Sequence, residues 1–506
     1  MTTLTRDEAA DRPTVPGAGA GEQLMLIDGE RMPALAGGTI DVFDPSTGEL
    51  IGTTPDGQAA DVDRAVAVAE RTFDERVWQG LSGAARQKIL WRAADLIEQH
   101  TEELAALESL NNGMVIPMAQ ALIATAAETI RYYAGWATKL YGITSEISSL
   151  EAQYHTYTLR EPVGVCALII PWNAPSTLTV QKVAPALAAG CSVVIKPSEE
   201  TPFTALRLAE LFEQAGVPRG VINVVTGYGE SAGATLAAHD KVAKIAFTGS
   251  TEVGKSIVKA AADNLKKVTL ELGGKSPVIV FDDADIDAAI AGAANAIFMH
   301  SGQICAAGSR LYVQRPVFDK VVHGIARIAE NLKIGPGSDL TTQIGPIVSQ
   351  KQLARVLSLI SSGIEEGAEL VTGGERVHRD GYYVQPTILA NPEPGARVIQ
   401  EEIFGPVLTA IVFDTVDDVV AMANDSTYGL GAAIWTTDIS KAHLTAKKLQ
   451  AGFVWLNCHY VLDNSVPAGG YKQSGWGREL GPEGLDPYLQ TKSVFAALTP
   501  APFLNA

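Results

Sequence analysis

The sequence predicts an α/β protein of two domains with parallel-rich sheets and a projecting β-ribbon arm. Three observations predict it. From Val163 the chain alternates short apolar strands with helices, and a second alternation of the same kind begins at Ser276. Such alternation implies parallel sheets covered on both faces. Between the first helices and the first alternation, Tyr154-His155-Thr156-Tyr157-Thr158-Leu159 has period two and one polar side, which suits a two-stranded ribbon that needs another surface. At 506 residues the chain is about three domain-lengths long and can bury a large core.

In chain order, the first 23 residues are rich in Ala, Gly, Pro and charge and read as a loose tail with no secretory h-region. Turn chemistry at Asp28-Gly29, Gly37-Gly38 and Pro45-Ser46-Thr47-Gly48 predicts hairpins over Leu24–Ile51. Helical periodicity follows over Asp61–Val77, Ala84–His100, Glu102–Leu110 and Pro117–Tyr141. The last contains Arg131–Trp136, whose aromatics read as packing, with one face free to line a tunnel. Next come the strands Val163–Pro171, Ser192–Lys196, Val221–Val225, Lys244–Phe247 and Lys267–Leu272. The helices Thr177–Ala189, Pro202–Ala215, Ser231–Ala238 and Val253–Asp263 lie between them. The second alternation has strands at Ser276–Phe281, Leu311–Val313, Glu369–Thr372, Leu408–Phe413 and Gly431–Trp435. Its helices are Asp285–Phe298, Val317–Asn331, Lys351–Glu366, Val416–Asn424 and Ser440–Leu449.

A formal net charge of -18 argues against nucleic acid and anionic membrane as partners. No apolar run reaches the length of a transmembrane helix. Cys166, Cys191, Cys305 and Cys458 form no C-x-x-C and no zinc spacing, so neither a disulfide framework nor a metal is expected, and a reduced cytoplasmic setting fits.

Chemistry concentrates in Lys267–Arg310. Glu271 ends an apolar, β-branched run just before Gly273-Gly274, where a carboxylate can be partly desolvated and poised as a base. Cys305 follows Ser301-Gly302-Gln303-Ile304 and is expected to open a helix from Ala306, whose N-terminus would favour the thiolate. Taken singly, a Cys is more often a small buried hydrophobe and a Glu a solvated surface residue. A nucleophile with a nearby base is the minimum apparatus of covalent catalysis. A domain boundary near Gly273-Gly274 would set the two on opposite walls of one cleft.

In a doubly wound sheet the ligand loops follow the carboxyl ends of the strands. After the first strand comes Pro171-Trp172-Asn173, whose Asn173 amide could donate to a carbonyl oxygen held against Cys305, though alone it reads as a turn residue before Pro175. After the second comes Lys196-Pro197-Ser198-Glu199, where Glu199 can take both hydroxyls of a ribose and would repel a 2′-phosphate. Phe247-Thr248-Gly249-Ser250-Thr251-Glu252-Val253-Gly254 is a glycine-containing turn into a helix, a place for pyrophosphate.

Phe298-x-x-x-Gly302-Gln303-x-Cys305 and Glu271-Leu272-Gly273-Gly274-Lys275, in this order, resemble the NAD(P)-dependent aldehyde dehydrogenase superfamily. Many members carry a second Phe where Met299 stands. The resemblance runs from about Leu24 to Val494. It includes the Gly249–Gly254 loop, Glu402-Ile403-Phe404-Gly405-Pro406 and a C-terminal stretch over Pro467–Glu479. It implies an aldehyde dehydrogenase-like fold: a Rossmann-like NAD-binding domain over 24–142 and 163–273, a catalytic domain over 274–480, and an oligomerisation arm over 143–162 with the C-terminal 481–506. The arm implies a homodimer or homotetramer.

By resemblance Cys305 is the nucleophile, Glu271 the base and Asn173 the oxyanion donor, with Lys182 and Glu479 passing protons or forming an ion pair. The cofactor set implied is Ile169, Ile170, Pro171, Trp172, Asn173, Lys196, Ser198, Glu199, Gly229, Gly233, Phe247, Thr248, Gly249, Ser250, Val253, Leu272, Gly273, Gln352, Glu402 and Phe404. NAD is favoured over NADP. Departures from the family pattern concern the substrate. Ala174, Gln181, Ala468 and Leu462 stand where aromatics are frequent, and Leu178, Ile304 and Ala306 complete the expected pocket. Losing those rings implies a wider tunnel and a bulky apolar or aromatic aldehyde, although Tyr460, His459 and Met299 could refill the space. Three other readings use the same residues: a CoA-acylating dehydrogenase, which would not need Glu271; a cofactor-independent thiol esterase; and a non-catalytic NAD-binding protein.

Overall fold

The computed structural model describes residues 21–147 and 152–499. The predicted tail over the first 20 residues lies outside them, as do the last 7 residues of the predicted C-terminal segment.

The apolar runs become two large sheets. The first has eight strands in the spatial order Glu30–Met32, Met25–Ile27, Ile222–Val224, Ser192–Lys196, Val165–Ile169, Val242–Thr248, Lys267–Glu271 and Gly475–Trp476. Its five central strands are parallel, and its ends are antiparallel. Every residue of the Val165–Ile169 strand is buried, because both faces are covered. Cys166 and Leu168 enter the core beneath the helices Gly83–Gln99, Ile116–Trp136, Pro175–Ala189 and Phe203–Ala215. Val165, Ala167 and Ile169 enter the opposite core under Ala59–Asp74 and Thr251–Ala261. The period-two alternation of a strand thus feeds two cores at once.

The second sheet has seven strands, Glu369–Thr372, Thr387–Ala390, Val407–Phe413, Arg310–Gln314, Pro277–Val280, Gly431–Trp435 and Phe453–Leu456, all parallel except the first. Helices Ile286–Phe298 and Phe318–Asn331 cover one face. Val416–Asn424 and Ile439–Lys448 cover the other. Thr387–Ala390, Phe453–Leu456 and Gly475–Trp476 are strands that the sequence pattern did not predict.

The predicted ribbon is Tyr154–Pro162, paired antiparallel along its whole length with Leu489–Ala497. Tyr157, Leu159 and Phe495 remain exposed on it. The expected hairpins form at Met25–Met32 and at Thr39–Pro55. Arg131–Trp136 packs inward: Tyr133 is buried and donates to the Gly481 carbonyl at 3.1 Å, so no face of that stretch reaches the cavity described below. Among the described residues, no helix is long and apolar enough to cross a membrane.

In the first sheet Val165–Ile169 is the point at which the strand order reverses, with Ser192–Lys196 on one side and Val242–Thr248 on the other. Ligands of open α/β sheets bind beyond the carboxyl ends of strands at such a point. The residues emerging there are Ile170 to Asn173 and Gly249.

Candidate active site

The Cys305 segment is set by backbone geometry. Helix Ile286–Phe298 begins at Asp285, whose side chain accepts from the Ala288 N–H at 3.1 Å. It stops where His300, Ser301 and Gly302 take φ of 50°, 56° and 69° in succession. Left-handed residues are costly for non-glycine side chains and gather at functional sites. At Gly302 a Cβ would collide with the Gly405 carbonyl. The buried Gln303 side chain then pins the loop, accepting from the Val348 N–H at 2.9 Å and donating to the His300 and Pro346 carbonyls at 3.3 Å. Cys305 sits in the turn closed by Ala307 N–H to Ile304 C=O at 2.9 Å, and the chain runs on to the Arg310–Gln314 strand. The helix expected from Ala306 does not form: Ala306-Ala307-Gly308-Ser309 is an irregular link, held where the Gly308 N–H donates to Ala296 at 2.9 Å. The helix start expected at the thiol is therefore absent. Burial pushes Cys305 up to about 12, the Glu402 and Glu271 charges add to this, and the backbone N–H groups of Ala306 and Cys305 oppose it.

Glu271 is the last residue of its strand. Burial pushes its carboxyl well above the usual carboxylate range, and the Glu479 charge pushes further, while the Lys182 and Arg478 charges restrain it. One of its oxygens is buried without a hydrogen-bond partner. A carboxylate so placed is a stronger base than one in water. Lys182 is fully buried; its Nζ donates to Thr248 Oγ1 at 2.7 Å and forms an ion pair with Glu479. The Glu479 backbone is held by paired hydrogen bonds with Ala468 at 2.6 and 2.7 Å.

Asn173 precedes helix Pro175–Ala189, which has Pro at its start and no side-chain cap from Ala174. The buried Glu108 supplies the cap from another helix, accepting the Ser176 N–H at 3.5 Å. Burial raises Glu108 to about 7. The Asn173 side-chain amide donates to the Gln303 carbonyl at 2.9 Å, two residues before Cys305.

Cys305, Glu271, Asn173, Thr248 and Glu479 line one cavity of about 960 Å³. So do Ala174, Leu178, Gln181, Ile304, Ala306, Leu462 and Ala468, the seven residues expected at a substrate pocket. Met299 and Tyr460 also reach it. His459 lies behind the wall and donates from Nε2 to the Ala306 carbonyl at 3.1 Å. Other parts of the lining were missed from sequence, two of them prominent. One is Met114 to Leu122 at the start of the Ile116–Trp136 helix. The other is the pair Phe453 and Trp455, stacked at 5.4 Å, which joins Tyr460 in an aromatic wall. The Tyr460 hydroxyl donates to Ala296 at 2.6 Å, so its ring is held against the cavity.

The residues expected to hold a dinucleotide gather along the carboxyl edge of the first sheet. Ile169 is in register with Lys196 on one side and Phe247 on the other, and the Ile170 N–H donates to the Lys196 carbonyl at 2.9 Å. Lys196 Nζ pairs with Glu199 at 3.1 Å, next to Ser198. Ser250 caps helix Thr251–Ala261 by accepting from the Val253 N–H. The Gly249 N–H donates to Glu271 C=O at 3.0 Å, and Leu272 packs against Gly254. Across the crevice, Glu402 accepts the Gly274 N–H at 2.9 Å and its carboxylate lies against Gly273. Gln352 donates to the carbonyls of Ile403 and Phe404 at 3.2 and 3.0 Å. Phe404 meets Trp172 edge to face at 5.0 Å. A side chain at Gly229 would enter open space, and one at Gly233 would make ordinary contact with Lys196 at 3.8 Å. An open glycine turn, a capped helix start and two separated carboxylates fit a dinucleotide: room for a base, amides for phosphates and acceptors for two riboses. Among the described residues, no group of three or more His, Cys, Asp or Glu could hold a metal.

The chain matches the model of the aldehyde dehydrogenase family over residues 34–494. It is 48% identical over 479 residues to the phenylacetaldehyde dehydrogenase of Pseudomonas fluorescens, covering 94% of this chain and 95% of that one. It is 44% identical over 492 residues to the mitochondrial benzaldehyde dehydrogenase of Antirrhinum majus, covering 97% and 92%. Its fold is similar to the NAD+ complex of an aldehyde dehydrogenase from Bacillus cereus, with a TM-score of 0.94 and 44% identity over 96% of this chain and 99% of that one.

Proposed function

Because this chain belongs to the aldehyde dehydrogenase family, we propose that it uses NAD to oxidise a bulky apolar or aromatic aldehyde to the carboxylic acid, with Cys305 as covalent nucleophile. The observation that carries this reading is the convergence of Cys305, Glu271 and Asn173 on one cavity walled by apolar side chains.

The Cys305 thiol loses its proton to solvent, and the thiolate sulfur adds to the aldehyde carbon. The carbonyl π pair moves to oxygen. That oxyanion is held by the second amide hydrogen of Asn173 and the backbone N–H of Cys305, a kind of contact worth about 3–4 kcal/mol. NAD, when bound, would supply the acceptor for the hydride that leaves the adduct carbon as the oxyanion re-forms its C=O bond. Lys196, Ser198 and Glu199 would hold its adenosine ribose, the Ser250-capped helix start its pyrophosphate, and Glu402 its second ribose. Glu199 also disfavours a 2′-phosphate, which supports NAD over NADP. The acyl group left on Cys305 is a thioester. Glu271 takes a proton from water, the water oxygen adds to the thioester carbon, and the Cys305 sulfur leaves. Lys182 and Glu479 carry the proton away from Glu271.

Rapid mixing with NAD and phenylacetaldehyde tests the reading. Cys305→Ala is expected to abolish NADH formation. Glu271→Gln is expected to give one burst of NADH followed by slow turnover. Undiminished NADH from Cys305→Ala, an unchanged steady rate from Glu271→Gln, or acyl-CoA as the main product when CoA is present would refute it.

A further inference from the structure

Helix Thr101–Asn112 ends in a turn that is polar yet buried, with Glu108, Ser109, Asn111 and Asn112 all in the interior. Buried polar groups need partners, and Asn111 and Asn112 find theirs in the two loops that follow the central strands of the first sheet, whereas Ser109 Oγ and one Glu108 oxygen have none. Asn111 donates to Glu200 C=O at 3.0 Å and accepts the Phe203 N–H at 3.3 Å. Asn112 donates from Nδ2 to Trp172 C=O at 3.5 Å and to Asn173 C=O at 3.3 Å, and accepts the Met114 N–H at 2.9 Å. On the opposite side, the Asn173 side chain donates to the backbone carbonyl of Gln303, whose own side chain is tied at three points.

We propose that Asn112 and Gln303 are positioning residues that fix the Asn173 amide from its two ends, an inference that rests on the oxyanion role proposed above for Asn173. A carboxamide is planar, with its two N–H bonds about 120° apart. Committing one to the Gln303 carbonyl therefore fixes the direction of the other. Asn112 holds the main chain from which that side chain grows. Gln303 lies two residues before Cys305, so donor and nucleophile are referenced to the same short piece of backbone. The free N–H and the sulfur can then keep their spacing when a cofactor or a substrate shifts the surrounding loops. Donor preorganisation of this kind lets an oxyanion contact stabilise the transition state without reorganisation.

The test is a double-mutant cycle with two readouts: the burst of NADH with saturating phenylacetaldehyde, and cofactor-free hydrolysis of p-nitrophenyl acetate. Both report acylation of Cys305. Asn112→Asp keeps the shape and the acceptor for Met114 but loses the donors. Gln303→Glu keeps the shape but loses the donors to His300 and Pro346. Each is expected to slow acylation about 10- to 100-fold in both readouts with KM for the aldehyde little changed, as small misplacements do. Asn173→Ala is expected to slow it about 10²- to 10³-fold. In the Asn173→Ala background, adding Asn112→Asp should cost no more than about twofold, because the group it positions is gone.

An additive double mutant overturns the inference, since Asn112 would then act elsewhere. Parent rates in Asn112→Asp and Gln303→Glu beside a slow Asn173→Ala overturn it while leaving the oxyanion reading intact. A parent rate in Asn173→Ala removes that reading itself. Asn112→Ala, in which water can take the vacated space, repeats the cycle should the aspartate disturb the fold. If every Asn112 and Gln303 variant melts early or loses NAD binding, the side chains serve the fold and the inference also falls.

Discussion

Narrowing the cavity should invert the substrate preference, and the structure sets the size of the effect. An aromatic ring needs about 150 Å³. The cavity beside Cys305 holds about 960 Å³, so a phenyl group enters with room to spare. Burying a ring of that size is worth about 1.5–3 kcal/mol. If all of this is realised in the transition state, kcat/KM for phenylacetaldehyde should exceed that for acetaldehyde by roughly 10- to 100-fold, at about 1.4 kcal/mol per factor of ten. Ala468→Phe places a ring in the lining next to the Glu479 backbone to which Ala468 is bonded. It should cost phenylacetaldehyde about tenfold or more and leave acetaldehyde nearly untouched. The assay is initial NADH formation for acetaldehyde, benzaldehyde and phenylacetaldehyde with both proteins. A wild-type preference for acetaldehyde, or an aryl preference that survives Ala468→Phe, would refute the reasoning.

Three further outcomes follow from the charges. Steady-state turnover should rise with pH through neutrality, because Cys305 and Glu271 are both pushed upward and both must lose a proton in the full cycle; Glu479→Gln removes a negative neighbour of Glu271 and should move that acid limb to lower pH, so a move to higher pH contradicts the assignment. Lys182→Met should shift the limb the other way and leave Glu479 buried and unpaired, costing about 3–5 kcal/mol in urea unfolding. Glu108 is raised from 4.5 to about 7, so the folded state holds its proton more tightly; its contribution is full below the unfolded value and is lost as pH rises through about 7. Glu108→Gln should therefore stabilise the protein at pH 8 by up to about 3 kcal/mol and have little effect at pH 4, and equal effects at both would exclude the assignment.

The strand rhythm, the loops after each strand and the pairing of Glu271 with Cys305 were legible because each leaves a local signature. Glu271 ends a β-branched run, and Lys196 and Thr248 end others. The misread helix after Cys305 shows where local signals stop. Ala306-Ala307-Gly308-Ser309 has small residues compatible with a helix, but three left-handed residues just before it and a hydrogen bond back to Ala296 set its path. The aromatic wall was missed because Phe453 and Trp455 lie about 150 positions beyond Cys305 and belong to a strand of four residues, too short for a periodic signal. Asn111 and Asn112 before Gly113 look like an ordinary helix end. Only their partners, about 60 and 90 residues away, reveal their burial.

The strand Gly475–Trp476 pairs with Leu270 and Glu271 from more than 200 positions further along the chain, and Glu479 follows it to meet Lys182. During synthesis, then, Cys305 and Glu271 both leave the ribosome before the groups that surround Glu271 exist. A nascent chain carrying Cys305 has no finished cavity around it, so the site is complete only when almost the last segment has been translated and zipped onto the sheet edge.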